Sequence, residues 1–505
     1  AGHPQTAMYV VYAALDYGRY IDFIARFKFD LSRLGSLLLI FSLGLGLAAV
    51  QLVPTLGLIA RSARAGLSYE AVASGFPLIE LTHLLYPGYF GGSPQYVGIL
   101  PLILAVAALF VRRARRESIF WIVLGALALV LSLGGHTFLY NLAYLLLPGF
   151  GAVRDQERII FLFSFAVSIL AGYGALTLVQ PQPPDTRKGF RRFVRGLAWV
   201  GAASVALTAL FYYGYLQGQQ QGVEVNLFEG VLRHHVLLLL ILGGAVALFA
   251  LRLSGRLRRG WLMALALALV WLNLFTVNWR YNQVKTGGGE PFPETGLVRF
   301  LQGEPGTWRI SSAGLLPGGS SAAIVYEIED ITGNTPLYLA AFQQFENQVG
   351  SWRRWQLLNV RYVLSSRHLD GPGMERVYQE DDVKVYRLGD PLPRAWVVHS
   401  TLIADDSEAL RLLAAEDLDP RTTAVLPPQA REIALPGLAK GSSSARVVEA
   451  SPGRLTLDVT SEDEGLLVVS QPAYPGWRAW VDDQPVSLYR ADYWLQALPI
   501  QAGQH

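Results

Sequence analysis

Eight apolar stretches in the first 280 residues limit what this chain can fold into. A helix that crosses a lipid bilayer needs about 20 mostly apolar residues, and these runs reach or approach that length. They are a partial helix at 7–17, followed by runs at 34–60, 96–111, 118–133, 159–179, 196–216, 235–251 and 261–279. The series predicts a polytopic α-helical membrane bundle over residues 1–280.

Basic residues in the connecting loops predict which ends of the helices face the cytoplasm. Cytoplasmic loops of membrane proteins carry an excess of Lys and Arg. Here 17 of them lie in four alternate loops, whereas the three loops between hold five. The basic loops are 18–33, 112–117, 180–195 and 252–260, and the others are 61–95, 134–158 and 217–234. The alternation places everything after Trp279 outside the cytoplasm.

Composition supports the same class of protein. Only 16% of the 505 residues are charged and 52% are hydrophobic, whereas soluble domains have about 25% charged residues. This composition disfavours a polar cytosolic enzyme, a disordered chain and a compact nucleic-acid-binding protein. Residues 1–280 carry a net charge of +12 and residues 281–505 carry −9. The chain therefore divides into two parts of different chemistry.

The acidic part predicts an extracytoplasmic region with strands. We interpret residues 281–292 as a linker, 293–440 as a mixed α/β domain and 441–505 as a truncated β-sandwich-like domain. Asp406 is predicted to cap a helix over 408–415, because its carboxylate can accept amides of the first turn. The predicted short helix is 295–301; the predicted strands are 357–365, 383–388, 394–399, 454–459 and 465–470, with a hairpin of 477–481 and 486–490.

A cluster of charges precedes the apolar run at 159–179 on the predicted outer side. Arg154 and Arg158 flank Asp155, Gln156 and Glu157. A helix N-terminus offers unpaired N–H groups and a positive dipole end, which suit a phosphate. One interpretation is that both arginines hold a lipid-linked phosphate, with Asp155 or Glu157 near the acceptor. The other is a local charge network in which the acids cap the helix.

Further candidate residues lie in other segments on the outer side. His3 and Gln5 begin the first segment and could either face a ligand or cap the helix at the interface. Glu80 could act as a base, with His83 and Tyr86 beside it binding substrate. Tyr86 also belongs to an aromatic group with Tyr89 and Phe90, and such rings commonly form an interfacial belt.

Metal and cofactor signals are weak. The chain has no cysteine, which excludes disulfides, Cys-ligated zinc, iron–sulfur clusters and thiol nucleophiles. His234 and His235 adjoin, but further ligands at suitable spacing are not evident, so packing is the favoured interpretation. No cofactor is indicated, and a divalent metal stays an open alternative.

Motifs spread along the chain resemble the YfhO-type family of bacterial multi-spanning membrane proteins. The segments are GHPQT at 2–6, LYPGYFGG at 85–92, YVGILP at 96–101, LPGF at 147–150, LAGYG at 170–174, LNVRYVL at 358–364 and YPGW at 474–477. Arg154 and Arg158 and the Pro499 to Gly503 segment also fit the pattern. The resemblance implies a GT-C-like fold in the bacterial plasma membrane, with the C-terminal domain extracytoplasmic.

The same resemblance implies transfer of a sugar from a polyprenyl-phosphate donor to a cell-envelope polymer or lipid. In GT-C enzymes the essential acid sits in the first outer loop, and we expect that region upstream of Ala1. We likewise expect a further helix after His505, so that the chain is a fragment at both ends. Two alternatives stay open: a non-catalytic envelope scaffold or carbohydrate-binding membrane protein, and a transporter or flippase for precursors.

Overall fold

The computed structural model contains two compact units, which we describe separately. One unit comprises residues 1–49 and 67–284, and the other comprises residues 50–66 and 285–505. The structure describes residues 3–26, 31–87, 95–180, 184–222, 226–279, 290–335, 337–371, 373–437, 441–451 and 453–505. Most of the predicted linker, and Tyr89 and Phe90, lie outside these ranges.

Helices form the first unit, and each of the eight predicted runs overlaps with one of them. The α-helices are Pro4–Arg26, Leu31–Ile59, Tyr69–Val72, Ile99–Ala107, Arg115–Leu131, Phe138–Leu146, Ile160–Val179, Pro184–Gln220, Asn226–Ser254 and Arg259–Asn278. Short 3-10 turns are Leu78–Leu84, Ala108–Phe110, Arg112–Ala114, Gly134–His136, Phe150–Ala152 and Gln156–Ile159. The second of the long helices continues into the other unit.

Five helices within the described ranges are long and apolar enough to cross a membrane, which indicates a membrane protein. They contain the segments 38–59, 156–179, 186–220, 229–254 and 259–278. Segment 38–59 contributes no buried residues to its most apolar window, and Val50 is 88% exposed. Such an unpartnered apolar surface suits contact with lipid.

The remaining three predicted spans are helical but differ from the expectation. The first extends over Pro4–Arg26, well beyond 7–17, and its polar residues lower its hydropathy. The third ends with a 3-10 turn at Phe110 and covers only 12 apolar residues. At 1.5 Å per residue, it is about 18 Å long, well short of a hydrocarbon core about 30 Å thick. The fourth, Arg115–Leu131, has 17 residues.

Close packing and a side-chain cap fix the short helix Ile99–Ala107. An added Cβ at Gly174 would lie 1.8 Å from the carbonyl oxygen of Leu104, so helix Ile160–Val179 approaches it at backbone distance. The buried Asn273 accepts a hydrogen bond from the Ile99 amide at 2.9 Å through Oδ1. A side chain from helix Arg259–Asn278 thus supplies the acceptor that the sequence around Ile99 lacks.

The second unit combines short helices with several small sheets. Its helices are Gly296–Gly303, Ala340–Gln348, Ser351–Leu357 and Asp406–Ala414, with 3-10 turns Ala322–Ile324 and Pro428–Ile433. Its strands are Arg309–Ser311, Val360–Ser365, Met374–Glu380, Val383–Leu388, Ala395–Val398, Ser400–Ile403, Thr423–Leu426, Ser443–Ser451, Arg454–Ser461, Gly465–Pro472, Ala479–Val481, Gln484–Val486, Tyr489–Ala491, Leu495–Ile500 and Gly503–Gln504.

Strand pairing joins the two regions that the sequence assigned to separate domains. Ala395–Val398 pairs antiparallel with Gly465–Pro472, which pairs in turn with Leu495–Ile500. One apolar cluster includes Leu357, Trp396 and Leu466. The predicted boundary at 440/441 is therefore crossed by a sheet and by a shared core. The expected strands at 383–388, 454–459 and 465–470 are confirmed.

Two local predictions are corrected by the geometry. Asp405, rather than Asp406, caps helix Asp406–Ala414, because the Asp405 Oδ1 accepts the Glu408 amide at 2.9 Å. The predicted hairpin is shorter than expected and turns at Asp482 and Asp483, which both have left-handed backbone. Its second predicted strand was too long, since Tyr489–Ala491 pairs instead with Leu495–Ile500.

The loop after the second long helix is part of the strand-rich unit. The Ala63 amide donates to the Tyr338 carbonyl at 2.8 Å, and the Ala340 amide donates to the Arg61 carbonyl at 2.9 Å. The sequence assigned loop 61–95 and the region after Trp279 to the same side of the membrane. That assignment to one side of the membrane stays a prediction.

Candidate functional site

The charged cluster at 154–158 forms a tight turn before helix Ile160–Val179. Asp155 has left-handed backbone with φ of 60°, a conformation uncommon for a residue other than glycine. Ser74 stabilises the turn, since its hydroxyl accepts the Asp155 amide at 3.0 Å and its carbonyl accepts the Gln156 amide at 2.9 Å. Two segments about 80 residues apart thereby define this turn.

Gln156 is the buried centre of the site. Only 1% of its surface is exposed. Its Nε2 donates to the carbonyls of Val72 at 2.9 Å and Val153 at 2.8 Å. Its Oε1 accepts the Tyr9 hydroxyl at 2.9 Å. A buried amide with this many partners fixes the relative positions of three segments.

The first helix supplies two of the predicted residues to the same place. Gln5 is buried, and its Nε2 donates to the Arg154 carbonyl at 2.9 Å and to the Tyr9 hydroxyl at 2.9 Å. His3 is exposed, and its Nε2 is hydrogen-bonded to a guanidinium nitrogen of Arg158. The structure therefore brings His3, Gln5, Arg154 and Arg158 together, although about 150 residues separate the two pairs.

The guanidinium groups of Arg154 and Arg158 form ion pairs but remain partly exposed. Asp155 lies 3.0 Å from Arg158 and 3.5 Å from Arg154, and the two arginine side chains are 39% and 49% exposed. Glu157 is half-buried and lies within electrostatic range of Asp155, Arg158 and Glu80. The exposed guanidinium groups can form charge-assisted hydrogen bonds to an anionic ligand, whereas the two carboxylates offset part of their charge.

Glu80, His83 and Tyr86 form a second group with different partners. Gln95 donates to the Glu80 carbonyl at 2.9 Å, and its amide also contacts His83 at 3.2 Å. His83 is fully buried, and burial lowers its pKa, favouring the neutral ring. The hydroxyl of Tyr86 is 2.9 Å from Nδ1 of His235. His83 and Tyr86 thus have packing partners of their own.

His235 is a packing residue by its contacts. It is 1% exposed, and its Nε2 lies 2.8 Å from the Ser204 carbonyl. His234 contacts the Gly230 carbonyl within its own helix at 2.8 Å. Among the described residues, no three His, Cys, Asp or Glu side chains are placed to hold a metal.

Sequence reasoning missed the residues that organise the site, namely Tyr9, Ser74 and Gln156. One signal was present for Tyr9, since Gln5 and Tyr9 lie four residues apart and share a helix face. Gln156 stood inside the cluster, where the charged neighbours drew attention away from an uncharged side chain. Ser74 lies far from both in sequence, and no local pattern marked it.

Replacing Gln156 with leucine should destabilise the site. The change removes the hydrogen bonds to Val153 and Tyr9 from a buried position, and unsatisfied buried groups cost about 1–3 kcal/mol each. We expect a lower melting temperature in detergent and faster amide exchange over residues 3–12. Gln95→Leu is the matched control: it also removes a buried amide but leaves exchange at 3–12 unchanged. Equal exchange in both variants would contradict the central role of Gln156.

No family model matches the chain, and no curated protein or solved structure matches it either. The resemblance to the YfhO-type family therefore remains a prediction from the motifs.

Proposed function

We propose that this chain is an integral membrane glycosyltransferase-like protein of the bacterial plasma membrane. It would transfer a sugar from a polyprenyl-phosphate donor to an envelope polymer or lipid on the outer face. In this proposal the helices that cover the eight predicted apolar runs belong to a GT-C-like membrane domain, with the strand-rich unit extracytoplasmic. The observation that carries it is the convergence of His3 with Arg154 and Arg158 beside the apolar helix Ile160–Val179.

The proposed chemistry needs a group that stabilises the departing phosphate. As the acceptor oxygen bonds to the anomeric carbon, the bond between that carbon and the phosphate oxygen breaks and negative charge collects on the phosphate. Arg154 and Arg158 would stabilise that charge, since guanidinium groups bind phosphate oxygens in bidentate fashion. Their exposed surfaces are compatible with this role.

A carboxylate must take the proton from the acceptor hydroxyl. Asp155 is paired with both arginines, so we assign it to positioning them. Glu157 and Glu80 lie within electrostatic range of each other and are the candidates for the base in the present chain.

Arg158→Ala should lower sugar transfer by about 10²–10³-fold, because removing one preformed electrostatic donor has effects of that size. Transfer would be measured in membranes with a radiolabelled polyprenyl-phosphate sugar, after normalising for protein level. Arg233→Ala, which removes another exposed cation of the helical unit, is the control and should retain activity. Unchanged transfer by Arg158→Ala would rule out the phosphate role, whereas absence of transfer by the wild-type chain would favour the scaffold alternative.

A further inference from the structure

A cavity in the strand-rich unit combines cations with aromatic rings. Its volume is about 270 Å³. It is lined by Arg61, Arg490, Tyr474, Tyr493 and Trp494 together with four apolar residues. Ligand pockets are mostly apolar with a few convergent polar groups, and they start at about 300 Å³. The size suits a single sugar ring.

Arg61 is the accessible cation of this cavity. Its guanidinium lies 5.8 Å from the centre of the Tyr474 ring, and its Nη1 donates to the Gly57 carbonyl at 2.9 Å. In the part of the chain that the structure describes, no carboxylate forms an ion pair with it, whereas Arg490 is paired with Asp406. Arg61 therefore keeps guanidinium donors for an anionic ligand.

Tyr474, Tyr493 and Trp494 form the aromatic wall of the cavity. An unusual turn at 492–493 positions part of this wall. Asp492 and Tyr493 both have left-handed backbone, with φ of 46° and 70°. Strained backbone of this kind persists where the surrounding structure holds it and is concentrated at binding sites. The Trp494 carbonyl accepts the Ala473 amide at 2.7 Å, and the Tyr493 hydroxyl donates to Gln344 at 2.6 Å. Tyr493 and Trp494 are thus held in place before any ligand arrives.

The cavity also lies next to a candidate membrane span. Arg61 follows helix Leu31–Ile59 by two residues, and segment 38–59 is apolar enough to cross a bilayer. A ligand bound at Arg61 would therefore be near the level of the lipid head groups. Saccharides that are attached to lipids or to growing envelope polymers occupy this level.

We propose that this cavity is a binding site for an anionic saccharide. The sugar ring would pack its apolar face on Tyr474 or Trp494, and its phosphate or carboxylate would pair with Arg61. Arg490 shapes the same wall while it neutralises Asp406. The proposal goes beyond the transfer reaction and does not depend on it, because binding needs no turnover and involves none of the residues at 154–158.

Binding would be measured on the full chain in nanodiscs of zwitterionic lipid. The probes are glucose 1-phosphate and glucuronate, with glucose and inorganic phosphate as references, and the readouts are calorimetry and saturation-transfer NMR. We expect at least one anionic sugar to bind about tenfold more tightly than glucose or inorganic phosphate. Preference for the phosphate sugar indicates a donor-type ligand, and preference for glucuronate indicates an acidic polymer unit; either supports the proposal.

Substitutions at Arg61 test whether the anionic sugar binds in this cavity. Arg61→Gln should weaken binding of the anionic sugar about tenfold and leave glucose binding unchanged, whereas Arg61→Lys should retain part of the affinity. Arg361→Gln is the matched control, since Arg361 also lies over a tyrosine ring, at 5.5 Å from Tyr362, but outside the cavity. Arg233→Ala should also bind normally, because this exposed cation belongs to the helical unit and to neither of the proposed sites.

Two results would overturn the proposal. One is the absence of any preference for anionic sugars by the wild-type chain. The other is equal weakening of binding by Arg61→Gln and Arg361→Gln, which would point to a general charge effect. Tyr474→Ala gives an independent check if the Arg61 variants fold poorly, because it should weaken both anionic and neutral sugars.

Discussion

Replacing Gly174 with alanine should greatly reduce the amount of folded protein. The new Cβ would lie 1.8 Å from the Leu104 carbonyl oxygen and 2.6 Å from its carbonyl carbon, so two helix backbones must separate. Backbone atoms cannot rotate away as a flexible side chain can, and overpacking of this kind costs about 3 kcal/mol. The higher helix propensity of alanine returns only about 1 kcal/mol.

Gly172 provides the matched control for this experiment. It lies in the same helix, but a Cβ there would meet nothing within 4 Å. Gly172→Ala should therefore be neutral or slightly stabilising. Both variants would be compared by size-exclusion chromatography and by thermal unfolding in the same detergent. If Gly174→Ala behaves like Gly172→Ala, the close approach of these two helices is wrong.

Asp492 should make the stability of the strand-rich unit fall as the pH rises. The side chain is fully buried, and burial raises its pKa from 3.8 to about 7, although the Val425 amide and Arg353 act in the opposite direction. Between these pH values the folded state keeps a proton that the unfolded chain has released. The free energy of unfolding therefore decreases with pH through this window, by on the order of 4 kcal/mol in total.

Asp492→Asn should remove this pH dependence and stabilise the protein above pH 7. Asparagine retains the oxygen that accepts the Val425 amide at 2.9 Å but carries no charge. Thermal unfolding of the full chain would be followed from pH 5 to pH 8 for wild type and variant. Asp483→Asn is the control, because Asp483 also has left-handed backbone but is exposed. Parallel pH profiles for wild type and Asp492→Asn would contradict the prediction.

Hydropathy located the long helices of the first unit well. A helix that is buried in lipid or among other helices needs a long run of apolar residues. Hydropathy overestimated the length of the helix at Ile99, where Ala108–Phe110 changes to a 3-10 turn without any loss of apolar character. Hydropathy also missed helix Phe138–Leu146. This helix has only nine residues, so it was assigned to the predicted loop 134–158. Length, rather than polarity, separates these helices from spans.

The candidate site was predictable in part. The charges at 154–158 were visible as an anomaly beside an apolar run, and His3 and Gln5 were marked by the family pattern. Their convergence was not visible, because it depends on hydrogen bonds between residues about 150 positions apart. Local patterns carry no information on such pairs. The helix cap at 405–406 was also not predictable from the sequence, because either Asp405 or Asp406 could have capped the helix.

The loop segment at 61–63, which belongs to the strand-rich unit but precedes most of it in sequence, has a consequence for biosynthesis. Its hydrogen-bonding partners at 338–340 lie about 275 residues later in the chain. At about 5–20 residues per second, the ribosome needs on the order of tens of seconds to produce them. Throughout that interval the backbone groups at Arg61 and Ala63 must be satisfied by water or by other proteins. The strand-rich unit can complete its fold only with a segment that was delivered to the membrane long before.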